Sequence, residues 1–241
     1  MGISASPRKG NSEFLLKEAM GAARAASPEG TVFDTYSLRG KKMAPCVSCF
    51  RCGERGGECV IEDDFQALRD LWLAADVILY SVPVYHMGMP GQLKCFIDRL
   101  GNSLFGRYRH LFPPDRDSLP KHLKVIGSIA QGVHIFSGQE HVLTDMINHT
   151  LLMQCIPANG DMWECYIGAG GWTSNDIDRK ALEKQSEEGT FDATVAVRAA
   201  RDLGRRAVEL ALILRAGGRA MRDELAQDPA YTPFLERIGE D

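Results

Sequence analysis

No stretch of the 241 residues approaches the ~20 consecutive apolar side chains that a bilayer-spanning helix needs. The opening residues also lack the charged and apolar regions of a secretory signal. No lysine or arginine run occurs, and the arginines near the C-terminus are interleaved with Asp and Glu. With a formal charge of −4 and a pI near 5.9, the chain carries no electrostatic footprint for nucleic acid. These absences predict a cytoplasmic protein with neither a membrane nor a nucleic-acid partner, whose thiols stay reduced. What is present is ordinary globular material, 44% hydrophobic and 25% charged. The exception is cysteine. Four of the seven crowd together, which suggests metal or redox chemistry rather than disulfides.

Strand and helix patterns alternate along the chain. A short strand at Gly2–Ile3 runs into a polar loop, Ser4 to Ser12, and a helix with Phe14, Leu15, Leu16, Ala19, Met20 and Ala23 on one face. Thr31–Tyr36 is β-prone. Asp63 and Asp64 precede a helix carrying Phe65, Leu68, Leu71 and Trp72. The apolar run Val77–Val82 reads as a strand buried on both faces of a parallel sheet. A helix over Gln92–Leu100, a strand over Leu123–Ala130, a helix over Gln139–Met153 and a strand near Cys165–Ile167 follow. A closing helix spans Val195–Leu214. Repeated βα units imply right-handed crossovers and a doubly wound α/β fold, and five parallel strands suit the flavodoxin-like order. Residues beyond Gly217 read as a docked arm with Tyr231, Phe234 and Leu235 as anchors.

Three loops converge on the carboxyl edge of such a sheet, where ligands bind at the switch point. Ser4-Ala5-Ser6-Pro7-Arg8-Lys9-Gly10-Asn11-Ser12 brings hydroxyls, an amide, a guanidinium and a helix N-terminus towards one anion. A plain helix cap with Asn11 or Ser12 would use the same residues. Lacking both the Walker lysine pattern and G-x-G-x-x-G, the loop favours a mononucleotide over ATP or NAD. Pro83-Val84-Tyr85-His86-Met87-Gly88 follows the third strand, where glycine lets backbone approach a flat ring and Tyr85 or His86 can stack on it. Ala130-Gln131-Gly132 opens the third loop, which ends at Ser137-Gly138-Gln139-Glu140. His134 in that loop has no identifiable partner and reads as a surface residue, so no catalytic residue is assigned.

Cys46, Cys49, Cys52 and Cys59 form C-x2-C-x2-C-x6-C. Three cysteines at intervals of three with a fourth nearby can complete tetrathiolate ligation of a cuboidal iron–sulfur cluster. Zinc remains the alternative, although the two separated knuckles usual for structural zinc are missing. Cys95, Cys155 and Cys165 fall on helix or strand positions and read as core packing.

The Ser4–Ser12 run resembles the S-x-S-P-R-x-G-N-[TS] loop of the NADPH-dependent FMN reductase superfamily. Pro83-Val84-Tyr85 followed by Gln92-Leu93-Lys94-x-Phe96-Ile97-Asp98-Arg99 is similar to its second signature, and Gly138-Gln139-Glu140 to its third-loop ending. The cysteines followed by Val60-Ile61-Glu62-Asp63-Asp64-Phe65 resemble its iron–sulfur flavoprotein branch. The resemblance implies FMN on the three loops, with its phosphate on Ser4, Ser6, Arg8, Asn11 and Ser12, and a [4Fe–4S] cluster on the four cysteines. It further implies homodimers or homotetramers that bring cluster and flavin together across subunits. Ferredoxin and NAD(P)H are candidate electron partners. The expected organisation is an FMN-binding domain over 1–216, with a cluster loop at 45–60, and a C-terminal extension over 217–241. Against the family pattern the first strand is short, Gln131 stands near an expected glycine, and the arm is additional. Two other readings are a flavin or quinone reductase with structural zinc and a non-catalytic redox sensor.

Overall fold

A computed structural model describes residues 1–113 and 118–239. Its parallel sheet runs β2 (Thr35–Ser37), β1 (Gly2–Ser4), β3 (Val77–Pro83), β4 (Val125–Gly132), β5 (Ile156–Pro157), with β6 (Ala169–Trp172) also on β4. β4 pairs with β3 along Val125–Gln131, so β5 and β6 share its other side. β5 meets Val125 and Ile126, and β6 meets Ile129 to Gly132. The fifth position of the sheet is therefore one strand broken in two by an excursion over residues 158–168.

The expected last strand at Cys165–Ile167 is displaced accordingly. Trp163–Cys165 forms a 3₁₀ turn, and the strand comes later, on glycines that carry little β propensity. Gly171 is needed there: a Cβ would lie 3.0 Å from Leu15 Cδ1 and 3.3 Å from Ala196 Cβ. β2 is shorter than the β-prone run Thr31–Tyr36, because β1 offers only three residues to pair with and Val32 is left 79% exposed.

Side chains of the central strands alternate between two cores, as a pleat of period two requires. Ile78, Tyr80, Val82, Ile126 and Ala130 face α2 (Phe65–Ala74), α3 (Gly91–Tyr108) and α4 (Gln139–Leu152). Leu79, Val125 and Ile129 face α1 (Asn11–Ala26), α5 (Ala181–Glu187) and α6 (Phe191–Ala220). α1 and α6 cross closely at Gly204, where a Cβ would fall 2.1 Å from the Ala19 carbonyl oxygen.

α6 extends the helix expected over Val195–Leu214 in both directions and carries Gly217 and Gly218 within it. The arm then turns back through α7 (Arg222–Leu225) and α8 (Thr232–Ile238). Phe234, Leu235 and Ile238 are buried, while Tyr231 is half-buried. Arg237 donates to Asp76 at 2.9 Å and to the His122 carbonyl at 2.6 Å, fastening the arm to the amino edge of the same chain's sheet. Residues 240 and 241 of the extension lie outside the described residues.

The core beneath α2 and α4 holds two buried histidines. Burial pushes the His149 imidazole down to about 4 and that of His122 to about 3, from an ordinary 6.5. His149 Nε2 has no hydrogen-bond partner, and the ring meets Tyr80 edge-on at 6.1 Å. A histidine held neutral in the fold stabilises it fully above its unfolded pKa, and that stability drains away as the pH falls from 6.5 towards the folded value. His149→Phe is therefore expected to lose about 2 kcal/mol less stability than wild type between pH 7 and pH 5. Urea midpoints at both pH values check this; equal losses would mean that His149 is solvated.

Candidate functional site

At the carboxyl edge the first loop is closed by its own hydroxyl: Ser6 Oγ donates to the Arg8 carbonyl at 2.7 Å and accepts from the Arg8 N–H at 3.3 Å. Pro7, Arg8 and Lys9 are exposed around this turn, while Ser4, Ser6 and Ser12 are buried. Ser4 Oγ has no partner. No side chain caps α1, whose first N–H groups therefore stand free at the positive end of the helix. A buried unpaired hydroxyl, an uncapped helix start and an exposed guanidinium thus fall within nine residues of one loop, a donor set that suits an anion.

Asn11 stands apart from that cradle. Its Nδ2 donates to the Asp178 carbonyl at 3.0 Å, and its Oδ1 accepts from the Leu182 N–H at 3.1 Å. The asparagine thus fastens a strap, Thr173 to Lys180, across the first loop. The strap also reaches the third loop, since Asn175 N–H donates to the Val133 carbonyl at 2.9 Å. Sequence reading missed the strap because its polar, exposed residues carry no periodicity. Gln131 explains its departure from glycine: its Oε1 accepts from Ser12 Oγ at 3.3 Å, tying β4 to the N-terminus of α1.

Pro83 is buried at the end of β3, and Val84 N–H donates to the Gln131 carbonyl at 2.8 Å. Tyr85 and Gly88 exchange hydrogen bonds of 2.8 and 3.0 Å, so His86 and Met87 form a two-residue hairpin turn, both left-handed at φ 45° and 67°. Tyr85, His86 and Met87 are exposed. Gly138, at φ 104°, packs on the turn, and a Cβ there would sit 2.6 Å from the Met87 carbonyl oxygen. The second and third loops are thereby held against each other, with Ala130 and Gly132 buried beneath. A groove of about 650 Å³ opens beside Met87 and Gly138, lined by Phe136, Trp163, Tyr166 and His141. Phe136 and Trp163 are 80% and 92% exposed. His134 lies exposed in this loop, outside the groove lining.

The chain from Ala44 to Ile61 lies on α3. Cys46, Cys49, Cys52 and Cys59 line a single small cavity together with Arg99, Asn102 and Ser103 of that helix. Among the described residues no three His, Cys, Asp or Glu side chains close on one point as a single ion requires. Ser48 and Phe50, at φ 51° and 54°, are left-handed on either side of Cys49. Gly57 and Gly106 allow the contact: Cβ atoms there would approach the Ser103 and Cys52 carbonyl oxygens to 2.6 Å. Ser103 Oγ donates to the Gly57 carbonyl at 2.5 Å. α3 runs eight residues beyond the expected end at Leu100, and Gly106 in that added stretch is where Cys52 of the loop packs on it.

Arg99 falls within the second signature, and Asp63 lies just before α2. The structure joins them in a buried ion pair of 2.7 Å at the neck of the cysteine loop. Partial burial pushes the Asp63 carboxyl up, but Arg99 and the N–H groups of Ala44 and Phe65 outweigh this and hold it below the usual range. Cys155 and Cys165 are buried, and burial raises their thiols to about 11 and about 12, as core packing implies. Cys95 differs in being only half-buried.

Residues 1–159, which hold all three loops and the four cysteines, match the family model of NADPH-dependent FMN reductase. The chain belongs to that family. This FMN reductase relative is a flavin-dependent oxidoreductase of the iron–sulfur flavoprotein branch. It is 32% identical over 189 residues to an iron–sulfur flavoprotein of Archaeoglobus fulgidus, covering 78% of this chain and 88% of that one. An iron–sulfur flavoprotein of Methanocaldococcus jannaschii is 28% identical over 216 residues, covering 89% and 98%. Among solved structures, RosB with a bound formyl-riboflavin phosphate intermediate superposes with TM-score 0.60 at 14% identity, covering 92% of this chain and 86% of that one. An FMN-dependent NADH-azoreductase of Bacillus anthracis, in complex with FMN, gives 0.51 at 11%, covering 86% and 96%. At such identities these two speak for the doubly wound, flavodoxin-like fold alone. No helix among the described residues is long and apolar enough to cross a membrane.

Proposed function

We propose that this flavin-dependent oxidoreductase binds FMN on its three carboxyl-edge loops and a [4Fe–4S] cluster on Cys46, Cys49, Cys52 and Cys59. The observation that carries the reading is the convergence of all four cysteines on one cavity, in a chain whose relatives are named iron–sulfur flavoproteins. Held there, FMN would supply two-electron hydride chemistry and a cluster on the four cysteines would supply one-electron chemistry.

The residues suit both groups. Ser4 Oγ, Ser6, Arg8, Ser12 and the N–H groups opening α1 would hold the phosphate, with Asn11 acting through the strap. Pro83 to Gly88 and Ala130 to Gly132 would border the ring, and the fused turn at Met87 and Gly138 fixes how far apart those borders stand. Four thiolates are the donor set that iron–sulfur clusters use. No separate nicotinamide motif exists, so NAD(P)H would stack on the ring from the groove beside Phe136 and Trp163.

Within one chain the route from the second loop to the cysteines follows α3 for about 12 Å, from Gly91 to Arg99. Assembly into homodimers or homotetramers would shorten it by bringing one copy's cysteine loop to another's flavin edge. Ferredoxin or NAD(P)H is the proposed partner class, in the cytoplasm.

Heat-released cofactor is expected to be FMN. Ser4→Ala with Arg8→Ala should weaken its retention by about a hundredfold or more, since each lost hydrogen bond to a charged group is worth about 1.5–3 kcal/mol. Fluorescence titration of the apoprotein measures this. Recovery of FAD, or no flavin after reconstitution, would overturn the assignment.

A further inference from the structure

α3 does more for the cysteine loop than support it. From positions three apart on one face, Arg99 Nη2 donates to Cys59 Sγ at 3.5 Å and Asn102 Nδ2 donates to Cys46 Sγ at 3.8 Å. The two sulfurs are the first and last of the four. Arg99 is 2% exposed, and both tips of its fork are held. Its Nη1 meets both Asp63 oxygens at 2.7 Å, its Nη2 also meets the Ile61 carbonyl at 2.7 Å, and its guanidinium lies 4.3 Å above the Phe65 ring. Asp63 in turn accepts from the Ala44 N–H at 2.8 Å. The fork therefore spans the neck of the loop, two residues before Cys46 and two after Cys59, and its N–H towards Cys59 is preorganised rather than recruited.

An N–H aimed at a thiolate favours whichever redox state places more negative charge on sulfur. Hydrogen bonds to the sulfurs and net charge are among the levers that set cluster potentials. We propose that Arg99 and Asn102 are positioning residues that raise the reduction potential of the centre held by the four cysteines, with Asp63 acting through Arg99. This rests on the cluster reading above. The electron enters and leaves the centre while the side chains neither make nor break a bond nor give up a proton.

The test is an anaerobic, EPR-monitored redox titration of the loaded protein, with iron per chain measured and the flavin potential read optically in the same sample. Asn102→Ala removes one donor and leaves the neck intact. At a fixed potential its ratio of reduced to oxidised centre should fall by up to about tenfold, equivalent to about 59 mV for a one-electron couple. Asn102→Asp places a carboxylate beside Cys46 and should lower the ratio further. Arg99→Lys keeps the charge but not the fork, and should shift it in the same direction or lose iron. Iron content and flavin potential should hold in both Asn102 variants, which a merely structural role could not reconcile with a moved cluster potential. Fully loaded Asn102→Ala and Asn102→Asp with the wild-type potential would overturn this proposal alone. Wild-type protein that holds zinc, or no cluster after anaerobic reconstitution, would overturn both it and the functional reading beneath it.

Discussion

Cys49→Ser is expected to lose most of its iron and acid-labile sulfide while keeping its flavin. Cys49 is the exposed member of the four and lies between two left-handed residues. That conformation costs an ordinary residue about 1–2 kcal/mol, and for Phe50, 70% exposed, no side-chain burial offsets it. Ligation of a shared group would hold the backbone there, and serine, a harder oxygen donor, would not substitute for a soft thiolate. The three loops proposed to hold FMN lie elsewhere in the chain, so flavin binding should survive. Two measurements on one anaerobic preparation check the function: flavin reduction, expected to persist, and reduction of a one-electron acceptor, expected to fall to a small fraction. A variant with full one-electron activity would make the centre structural. Wild-type protein with one zinc and no sulfide would leave a simple flavin reductase as the better description.

Gly138→Ala should be nearly as damaging, through geometry alone. The residue sits at φ 104°, and the added methyl would meet the Met87 carbonyl oxygen at 2.6 Å and its Cα at 2.8 Å. The turn cannot easily yield, because His86 and Met87 are already left-handed and pinned by the Tyr85–Gly88 pair. Left-handed strain of about 1–2 kcal/mol adds to overpacking of about 1–3 kcal/mol. The expected result is about 2–5 kcal/mol of lost stability, read by urea unfolding, together with weakened flavin retention as the second and third loops, proposed to border the ring, part. Gly91, with open space around it, is the control: Gly91→Ala should leave both properties near wild type.

Much of this was legible in the residues themselves. Val77–Val82 has no polar interruption except Ser81, whose hydroxyl is satisfied by the Ser12 carbonyl at 2.7 Å, so a doubly buried strand follows directly. Leu15, Leu16, Ala19 and Ala23 repeat at helical spacing and are buried as that spacing requires. In the first loop the buried positions of Ser4, Ser6 and Ser12 agree with a reading from sequence, whereas Asn11, read there with them, fastens the strap instead. Besides the strap, two features were hidden. Local propensity fails at β6, where Gly170 and Gly171 pair as a strand and side chains of α1 and α6 crowd Gly171, a fact of packing that propensity does not encode. Arg99 shares a stripe with Phe96, Leu100 and Ser103, and a charge at such a position was the available sign of a buried pair. Its partner Asp63 lies 36 residues earlier, too far for local pattern to find.

The strap has a consequence for biogenesis. The Ser4–Ser12 loop is synthesised well before the strap that walls it, since Asn11 finds its two partners only at Asp178 and Leu182, up to 171 residues later. At the usual pace of synthesis that interval is roughly 10–30 s. Throughout it, the nascent chain would expose an anion cradle with one wall missing, and α1 would lack α6, its main packing partner. Cofactor capture in the cell should therefore follow synthesis of the strap, and ribosome-stalled chains ending before it should retain far less flavin than those extending beyond α6.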